Sequence, residues 1–583
     1  MENFNTYDHI VHSEILIIGG GIAGLLAAVS SSEFTQDIVM VSKGKIGWSG
    51  ATACCGGNAM TICFPEDDAE MWMQKYVENS DYTVDQQWVQ IFIEQSYKKA
   101  MWLDGLGKQY GKMIFPHHPD KEDEFWRIER TGNPCTIFNL PQAQDTLRRE
   151  IEKRKLRTYE RISIVQILCH DNRVYGAIGI NYRNGETYLF QAKAVVLAAG
   201  ACTYQQDLFE VCGEGFSLAY HAGAKMMSFD RGGAISRPRT VMHNGTLFSS
   251  TANSSGYQMG GRMINRLGED FFQNMTPEMR KAGRIGQNMA IKREIEEGRG
   301  PIYEDYTNVS DYTKEVMKSM RIAQWKRVKS EYNLDPFTEL ICVADGVEQT
   351  YTPDHSNRMG GVAIDHHNQA SVDGLFVVGD NSAPVLAMQH PFGGCELGWA
   401  VLSGSLVGES VNQYLMQSEQ EQPSDDWYVQ AGRARLESLF AYLQKDNGKK
   451  PDEVKANILK IMIPYDVVHS DAEHLQAAIE KIAKLRNEDL LNMKAWDYHE
   501  LREAIEVESM LDVSEMILRS EYMRKESRVG VRRKDYPMMD NVNWLKWVVL
   551  QKSESQMALA QETIPTPYKK APQTIEAPAQ HRV

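Results

Sequence analysis

Two sets of residues in this sequence are spaced for chemistry. In SEILIIGGGIAGLLAAVS, residues 13–30, Gly19, Gly21 and Gly24 form G-x-G-x-x-G between an apolar run, Ile15 to Ile18, and a stretch that continues as helix. Glycines so placed allow a tight turn, close backbone approach to a pyrophosphate and close helix–strand packing, with the phosphates resting on the helix N-terminus. The pattern points to a dinucleotide. The second set lies in GRIGQNMAIKREIEEGRG, residues 283–300. Arg284 follows Gly283 at the expected start of a helix, where unpaired backbone N–H groups already make a cation mildly unfavourable. Ile291 and Ile295 share the face of Arg284 and Asn288, while Lys292, Arg293, Glu296 and Glu297 populate the others, so Arg284 is expected to point inward. An inward guanidinium can bind an anionic ligand, stabilise charge developing in a transition state, or form a structural ion pair at a domain junction.

The elements that must position these residues belong to a large, acidic chain. With 583 residues it is expected to form two to four domains, enough to bury a cofactor. Its net charge of −15 argues against a nucleic-acid surface, whose signature would be basic. The N-terminal MENFNTYDHIVHSE lacks a basic region followed by an apolar core, and no apolar run reaches the length of a membrane span. The expectation is a cytoplasmic protein without direct membrane insertion. Nine scattered cysteines form no C-x-x-C pair, so a zinc or iron–sulfur site of the chain's own is not expected, and the usage suits a reducing compartment.

Along the chain, DIVMVSKG (37–44) reads as the second strand of a nucleotide fold. Such a strand usually ends in an acid that reads ribose hydroxyls; here it ends in Ser42 and Lys43, able to bond a hydroxyl and to lie near phosphate. RISIVQILCH, VYGAIGINY and TYLFQA read as three strands, closed by a fourth, KAVVLAAGA. A further buried strand, GLFVVGDNSA (374–383), lies far downstream, followed by a glycine turn into an apolar helix. The sheet is therefore expected to be interrupted by an inserted domain over its ligand-binding edge. After residue 420 the texture is helical, with Leu501, Ala504, Leu511 and Leu518 recurring on one face. The tail, with four prolines between 565 and 578, is expected to be extended and ordered only against a partner.

In this order, GGGIAG, SKGKIGWSGATACCGG, VVLAAGA, GEGFSLAYHAGA (213–224), MINRLGEDFF (263–272), GRIGQNMAIKREIEEGRG, RMGGVAID (358–365) and GLFVVGD resemble the flavoprotein subunits of the succinate dehydrogenase and fumarate reductase family. That family includes L-aspartate oxidase and the adenylylsulfate reductase alpha subunit. REIEEGRGPIYEDY (293–306) and RKESRVGVRRKDYPMMDNVNWLKWVV (524–549) look nearest to the adenylylsulfate reductase branch. The resemblance implies an α/β fold: a Rossmann-like FAD-binding domain (1–214 and 366–420) interrupted by an α+β capping domain (215–365). A helical domain (421–530) and a C-terminal extension (531–583) follow.

It also implies FAD, with Gly19, Gly21, Ala23 and Gly24 under the pyrophosphate and Ser42 and Lys43 at the adenosine end. Ser49 and Gly57 would lie along the flavin loop, Glu214 in place of the family's G-D-G aspartate, Asp380 near the ribityl chain, and Glu396 and Leu397 at a helix N-terminus facing the pyrimidine ring. Ordinary turn or capping work is the alternative for Glu214 and Asp380. Relatives that attach FAD covalently do so through a histidine where this chain has Gly50, after Trp48 and Ser49, so the FAD is expected to be noncovalent. Cys54 and Cys55 would lie near the flavin, but neighbours in sequence bridge badly.

Arg284 matches the arginine that delivers a proton in fumarate reductases, and the resemblance makes it the leading catalytic residue. The rest of the dicarboxylate machinery is absent. Ile285, Met289 and Pro391 stand where the family has an aspartate and two arginines, and Ile235 and Ser356 where it has histidines. Losing two charge-assisted carboxylate clamps forfeits roughly 1.5–3 kcal/mol each, which removes succinate or fumarate recognition. Arg237, which roughly matches a sulfate-holding arginine of adenylylsulfate reductase, and His355 and His390 near the cap and flavin edges, are the remaining catalytic candidates, with Arg239 and Arg358 beside them.

The implied function is two-electron transfer at flavin N5 to or from a small anionic substrate, with electrons exchanged through a separate ferredoxin-like iron–sulfur subunit; there is room for a higher oligomer. The alternatives are an adenylylsulfate reductase alpha subunit proper, a stand-alone oxidase resembling L-aspartate oxidase, and a noncatalytic electron-relay flavoprotein.

Overall fold

The apolar run before the glycine turn is the buried end of a central strand. The computed structural model describes residues 6–54, 59–130, 133–204, 211–230, 235–238, 241–242, 246–247, 259–276, 290–291, 293–320, 333–344, 351–354, 356–357, 360–383, 394–418, 422–462, 470–528, 533–554 and 556–577. Strand β1 (His9–Ile18) turns through Gly19–Gly21 into helix α1 (Ile22–Ser31), and β2 (Ile38–Ser42) returns parallel to β1. Every residue of α1 is buried, as expected of a helix that is apolar all round. Helices α2 (Gln86–Gln109) and α3 (Leu140–Lys153) then lead into β3 (Arg157–Glu160), parallel to β2.

Strands β4 (Ile162–His170), β5 (Arg173–Asn181) and β6 (Thr187–Leu197) complete this part of the sheet. TYLFQA and KAVVLAAGA, read above as two strands, are one 11-residue strand, because nothing between Gln191 and Lys193 breaks extended backbone. Its first half pairs antiparallel with β5, and its last three residues pair parallel with a strand from far downstream. Helix α4 (Glu214–His221) follows; the downstream strand is β7 (Leu375–Val377), after which α5 (Cys395–Gln417) packs along α1. That packing is close: a Cβ on Gly404 would lie 2.6 Å from the Ala23 carbonyl oxygen, and Ser30 Oγ donates to Gly404 O at 2.9 Å. The sheet is thus interrupted between β6 and β7, as expected.

The described part of the intervening chain is α+β. Strands Arg262–Ile264, Ile302–Asp305 and Ile341–Ala344 form an antiparallel sheet beside the helix Asp311–Met320. Val316, Met317 and Met320 of that helix pack with Trp126, Ile128 and Ile137 of the nucleotide-binding part, and Asn139 Nδ2 donates to Ser319 Oγ at 2.6 Å. Helices α6 (Asp425–Gln444), α7 (Pro451–Met462), α8 (Ala472–Lys484) and α9 (Tyr498–Met523) form the helical region, with Leu501, Ala504, Leu511 and Leu518 all buried. No described helix is long and apolar enough to cross a membrane.

The C-terminal region departs from expectation. Strand β8 (Lys546–Ser553) forms a hairpin with β9 (Gln556–Thr563) and joins Met226–Met227 and Gly361–Val362 in one sheet. The proline-containing stretch beyond it is ordered against its own chain rather than only against a partner. The Gln86 side chain accepts from Tyr568 N and Lys569 N at 2.9 Å and donates to Lys569 O at 2.7 Å, and Ile575–Glu576 pairs with Met539–Asp540. An amide offering both donor and acceptor satisfies backbone that proline leaves without a ladder. RKESRVGVRR has a structural role: Arg524, Arg528 and Arg533 are buried, with Arg524 paired to Asp230 and Glu526, Arg528 to Glu526, and Arg533 to Asp535.

Helix α9 is fastened to α4 by a buried carboxylate. Asp512 accepts from Ser217 Oγ at 2.5 Å, lies 2.9 Å from His221 Nε2 and pairs with Arg486 at 3.0 Å. Burial alone would raise its pKa; the His221 hydrogen bond and charge, with the Arg486 charge, outweigh it and hold the carboxyl at about 2. Its folded pKa is depressed, so the stabilisation is present above the unfolded value near 4 and lost as pH falls toward 2, amounting to about 2 kcal/mol. Asp512→Asn is expected to lower unfolding free energy at pH 7 by about 2–3 kcal/mol and to flatten the acid limb of the stability profile between pH 4 and 2. An unchanged acid limb in denaturant titrations would show that this carboxylate does not fasten the helix.

Candidate cofactor and active site

Three helices begin at the carboxyl ends of the parallel strands, and all three begin on glycine. Gly21 caps α1, Gly213 caps α4 and Gly394 caps α5, none with a side-chain hydrogen bond. Six helices elsewhere are closed by side chains: Asp68, Asp85, Asn139, Ser424, Asp471 and Asp497 each accept from first-turn N–H groups. A glycine start leaves N–H donors and the positive end of the helix dipole available to an anionic or electron-rich ligand.

The glycine turn is built for close approach. Gly19 has φ +120°, and a Cβ there would run into the Ala198 carbonyl; a Cβ on Gly24 would run into the carbonyl of Gly19. These two glycines hold strand, turn and helix together. Gly21 differs: its φ is −77°, and the nearest atom to an added Cβ is Thr52 Oγ1 at 3.1 Å. That hydroxyl accepts from Ile22 N at 3.1 Å.

Around the turn the structure brings together most of the residues expected to hold the cofactor. Ala23 abuts Gly379, whose Cβ would lie 2.8 Å from that of Ala23, so Asp380 stands beside the start of α1. Asn381, fully buried, accepts from Ala199 N at 2.5 Å and donates to Gly200 O, and it lies against Gly215 at the start of α4. Trp399 Nε1 donates to Ser382 Oγ at 2.9 Å and Gly379 O at 3.2 Å, fastening the turn after β7 to α5. Glu396 and Leu397 lie in the first turn of α5, which is seated where Thr61 N donates to Gly394 O at 3.1 Å. Ser42, buried at the end of β2, lies beside Gly20. Ser49 closes its own loop, donating to Lys45 O at 2.9 Å.

Lys43 has partners that its expected place near phosphate does not foreshadow. It pairs with Glu214 and, at 2.8 Å, with Glu506 Oε1 of the helical region. Burial would lower the ammonium pKa, but the two carboxylates outweigh it and hold it above the usual lysine range. Glu214 also accepts from Cys212 N at 3.0 Å, so it does turn work as well as pairing. Thr52, Asn381, Trp399 and Glu506 were not singled out from sequence, although Thr52 lay within SKGKIGWSGATACCGG, Asn381 within GLFVVGDNSA and Trp399 in the apolar helix that follows it.

On the substrate side, Arg237 lies on Ile235–Pro238, paired opposite Thr352 of Tyr351–Asp354, and Ser356 pairs with Thr203 just beyond the end of β6. The backbone thus carries the Arg237 ribbon toward the cofactor edge. Arg284, His355, His390 and Gly57, with Arg239, Arg358 and Cys55, lie outside the described residues. Ile291 and Ile295, expected on the inward face with Arg284, pack with Met263, Phe271 and Phe272.

Comparison with known proteins agrees with this geometry. Residues 14–397 match the family described as FAD binding domain, and residues 455–578 match fumarate reductase flavoprotein C-term. A polypeptide of the fumarate reductase (CoM/CoB) of Methanothermobacter marburgensis is 25% identical over 545 residues, covering 90% of this chain and 94% of that protein. Among solved structures, E. coli quinol fumarate reductase FrdA superposes with TM-score 0.78 at 21% identity, covering 97% of this chain and 99% of the other. Adenylylsulfate reductase of Archaeoglobus fulgidus superposes with TM-score 0.71 at 19% identity, covering 97% of each.

A nucleotide fold whose glycine-started helices face one strand edge, matched to an FAD-binding family over most of its length, defines an FAD-dependent oxidoreductase. Within that class, the chain belongs to the succinate dehydrogenase and fumarate reductase flavoprotein family. The residues present fit FAD, because the parallel strand turns through Gly19–Gly21 into the positive end of α1 with no side chain at Gly21 to stand in the approach. The two kinds of glycine are separable by experiment. Gly21→Ala is expected to weaken FAD binding at least ten-fold while shifting the apoprotein's melting temperature by no more than about 2 °C. Gly24→Ala, with no room for its methyl, is expected to lower the apoprotein's melting temperature by several degrees. Equal effects of both on the apoprotein would contradict this division.

Proposed function

We propose that the chain is a flavoprotein subunit that passes two electrons to or from a small anionic substrate other than succinate or fumarate, exchanging them with a separate iron–sulfur protein. When bound, FAD supplies hydride acceptance and donation at N5. The single observation that carries this reading is the composition of the substrate side. Arg284 is retained within the GRIGQNMAIKREIEEGRG stretch, while Ile285, Met289 and Pro391 replace the acid and the two further arginines of the family's dicarboxylate site. One guanidinium can hold an anion bidentately, but replacement of the two further arginines by Met289 and Pro391 leaves a second carboxylate without a counter-charge. An adenylylsulfate reductase alpha subunit proper is the narrower version, supported by the fold likeness to that enzyme and by Arg237 on a ribbon that runs toward the cofactor edge.

The chain's own groups have distinct tasks in this proposal. The start of α5, facing the flavin's pyrimidine ring, offers backbone N–H groups to negative charge accumulating there. Glycine at position 50 offers no side chain for a covalent link, so FAD is held noncovalently. Arg284 binds the substrate anion and, if it also moves a proton, must do so from a desolvated setting, because a guanidinium otherwise keeps its proton.

The test uses purified holoprotein reduced with dithionite in the absence of air. Adenylylsulfate is the first acceptor and fumarate the control. Reoxidation by adenylylsulfate, with the flavin staying reduced in fumarate, is the expected result, and Arg284→Ala should slow reoxidation at least 100-fold. Rapid reoxidation by fumarate would overturn the assignment. Undiminished reoxidation of the FAD-loaded Arg284→Ala variant would remove Arg284 from the site.

A further inference from the structure

The cluster around Lys43 joins the end of β2 and the start of α4 to the helical region through buried charges. Lys43 directly follows Ser42, the last residue of β2, at the strand end where a nucleotide fold reads ribose and where an acid usually stands. Its ammonium pairs with Glu214 at the start of α4 and with Glu506 Oε1 at 2.8 Å. Glu506 lies in the N-terminal half of α9, with its side chain 3% exposed. The same oxygen accepts from Arg502 at 3.0 Å, and Lys455 of α7 stands 3.8 Å from Oε2.

Stability alone does not account for such a cluster. Withdrawing these charges from water costs several kcal/mol per ion, and well-packed apolar groups of the same volume commonly do as well or better. Leu501, Ala504, Ile505 and Val507, on the same helix, are buried in that way. What the ions provide and an apolar contact cannot is a fixed location for one ammonium group.

We propose that Glu506 is a positioning residue for FAD: reaching across from the helical region, it holds Lys43, together with Glu214, at the nucleotide end of the cofactor site. Its action is through Lys43 and not by contact with FAD. Cofactor affinity then depends on the seating of α9, and by reciprocity FAD strengthens that seating. The proposal rests on FAD lying at the end of β2 and is independent of which substrate is oxidised or reduced.

The experiment measures FAD dissociation constants, by flavin fluorescence quenching, for apoprotein of the full chain, alongside melting temperatures with and without FAD. Glu506→Gln is expected to raise the dissociation constant at least ten-fold. Lys43→Met should do the same, and the double variant should bind no more weakly than Lys43→Met alone. Glu508→Gln, on the same helix but bonded to Arg435 and Tyr442, should leave FAD affinity within two-fold. An unchanged FAD constant for Glu506→Gln, with equal loss of melting temperature in apo- and holoprotein, would mark a merely structural residue and overturn the proposal. Multiplicative losses in the double variant would overturn it as well, since Glu506 would then act without Lys43. If Glu506→Gln does not fold, the paired Glu506→Met and Lys43→Met change removes both charges together; wild-type FAD affinity in that protein would equally refute the assignment.

Discussion

The structure depends on a choice made where helices begin. At the carboxyl edge of the parallel strands, α1, α4 and α5 start on Gly21, Gly213 and Gly394, which carry no side chain to cap the first turn; at α1 only Ile22 N is met from outside, by the Thr52 hydroxyl. Glycine starts each forgo a few tenths of a kcal/mol of local stability relative to an Asp, Asn or Ser cap. The helices elsewhere that begin on Asp, Asn or Ser keep it. Burial offsets the loss at α1, which is enclosed on all sides and packs on α5 through Gly404. The edge is thereby left as a set of donors with positive dipole ends, suited to the pyrophosphate of FAD and to the electron-rich side of its ring.

Around this edge the connections are polar and directional. Asn381 binds the chain after β6 to the turn after β7 and lies against the start of α4, and Trp399 ties that turn to α5. These contacts use backbone groups that the ends of the strands leave unpaired. Among the described residues, the inserted domain meets the nucleotide-binding part through apolar residues on the helix Asp311–Met320, with hydrogen bonds from Asn139 to Ser319 and from Tyr312 to His117 O. Arg237 thus rides on chain carried by the insert, whereas Gly19, Gly21 and Ser42, expected to hold the cofactor, stand at the ends of β1 and β2.

Much of this was legible in the sequence because its causes are local. Gly19 and Gly24 announce a turn that only glycine can make, and the departure from an acid at Ser42–Lys43 was visible at once. Its consequence was not, because Glu506 lies 463 residues further on. The same holds for Thr52 and Asn381, whose partners are brought near by the fold, and for Gln86, which receives the tail at Tyr568 and Lys569. Proline content read as dependence on a partner missed that the partner was a glutamine of the same chain. The two-strand reading of 187–197 failed for a related reason: the change from an antiparallel to a parallel neighbour along β6 is a property of the sheet, not of the residues.

The central claim is that one intact dinucleotide is held by backbone donors and side-chain charges, without a bond to the chain. It is tested most directly by unfolding the holoprotein in guanidinium, separating polypeptide from small molecules and quantifying each. The account expects about one FAD per chain in the small-molecule fraction and a colourless polypeptide. Flavin that stays with the polypeptide, or release of FMN in place of FAD, would contradict it.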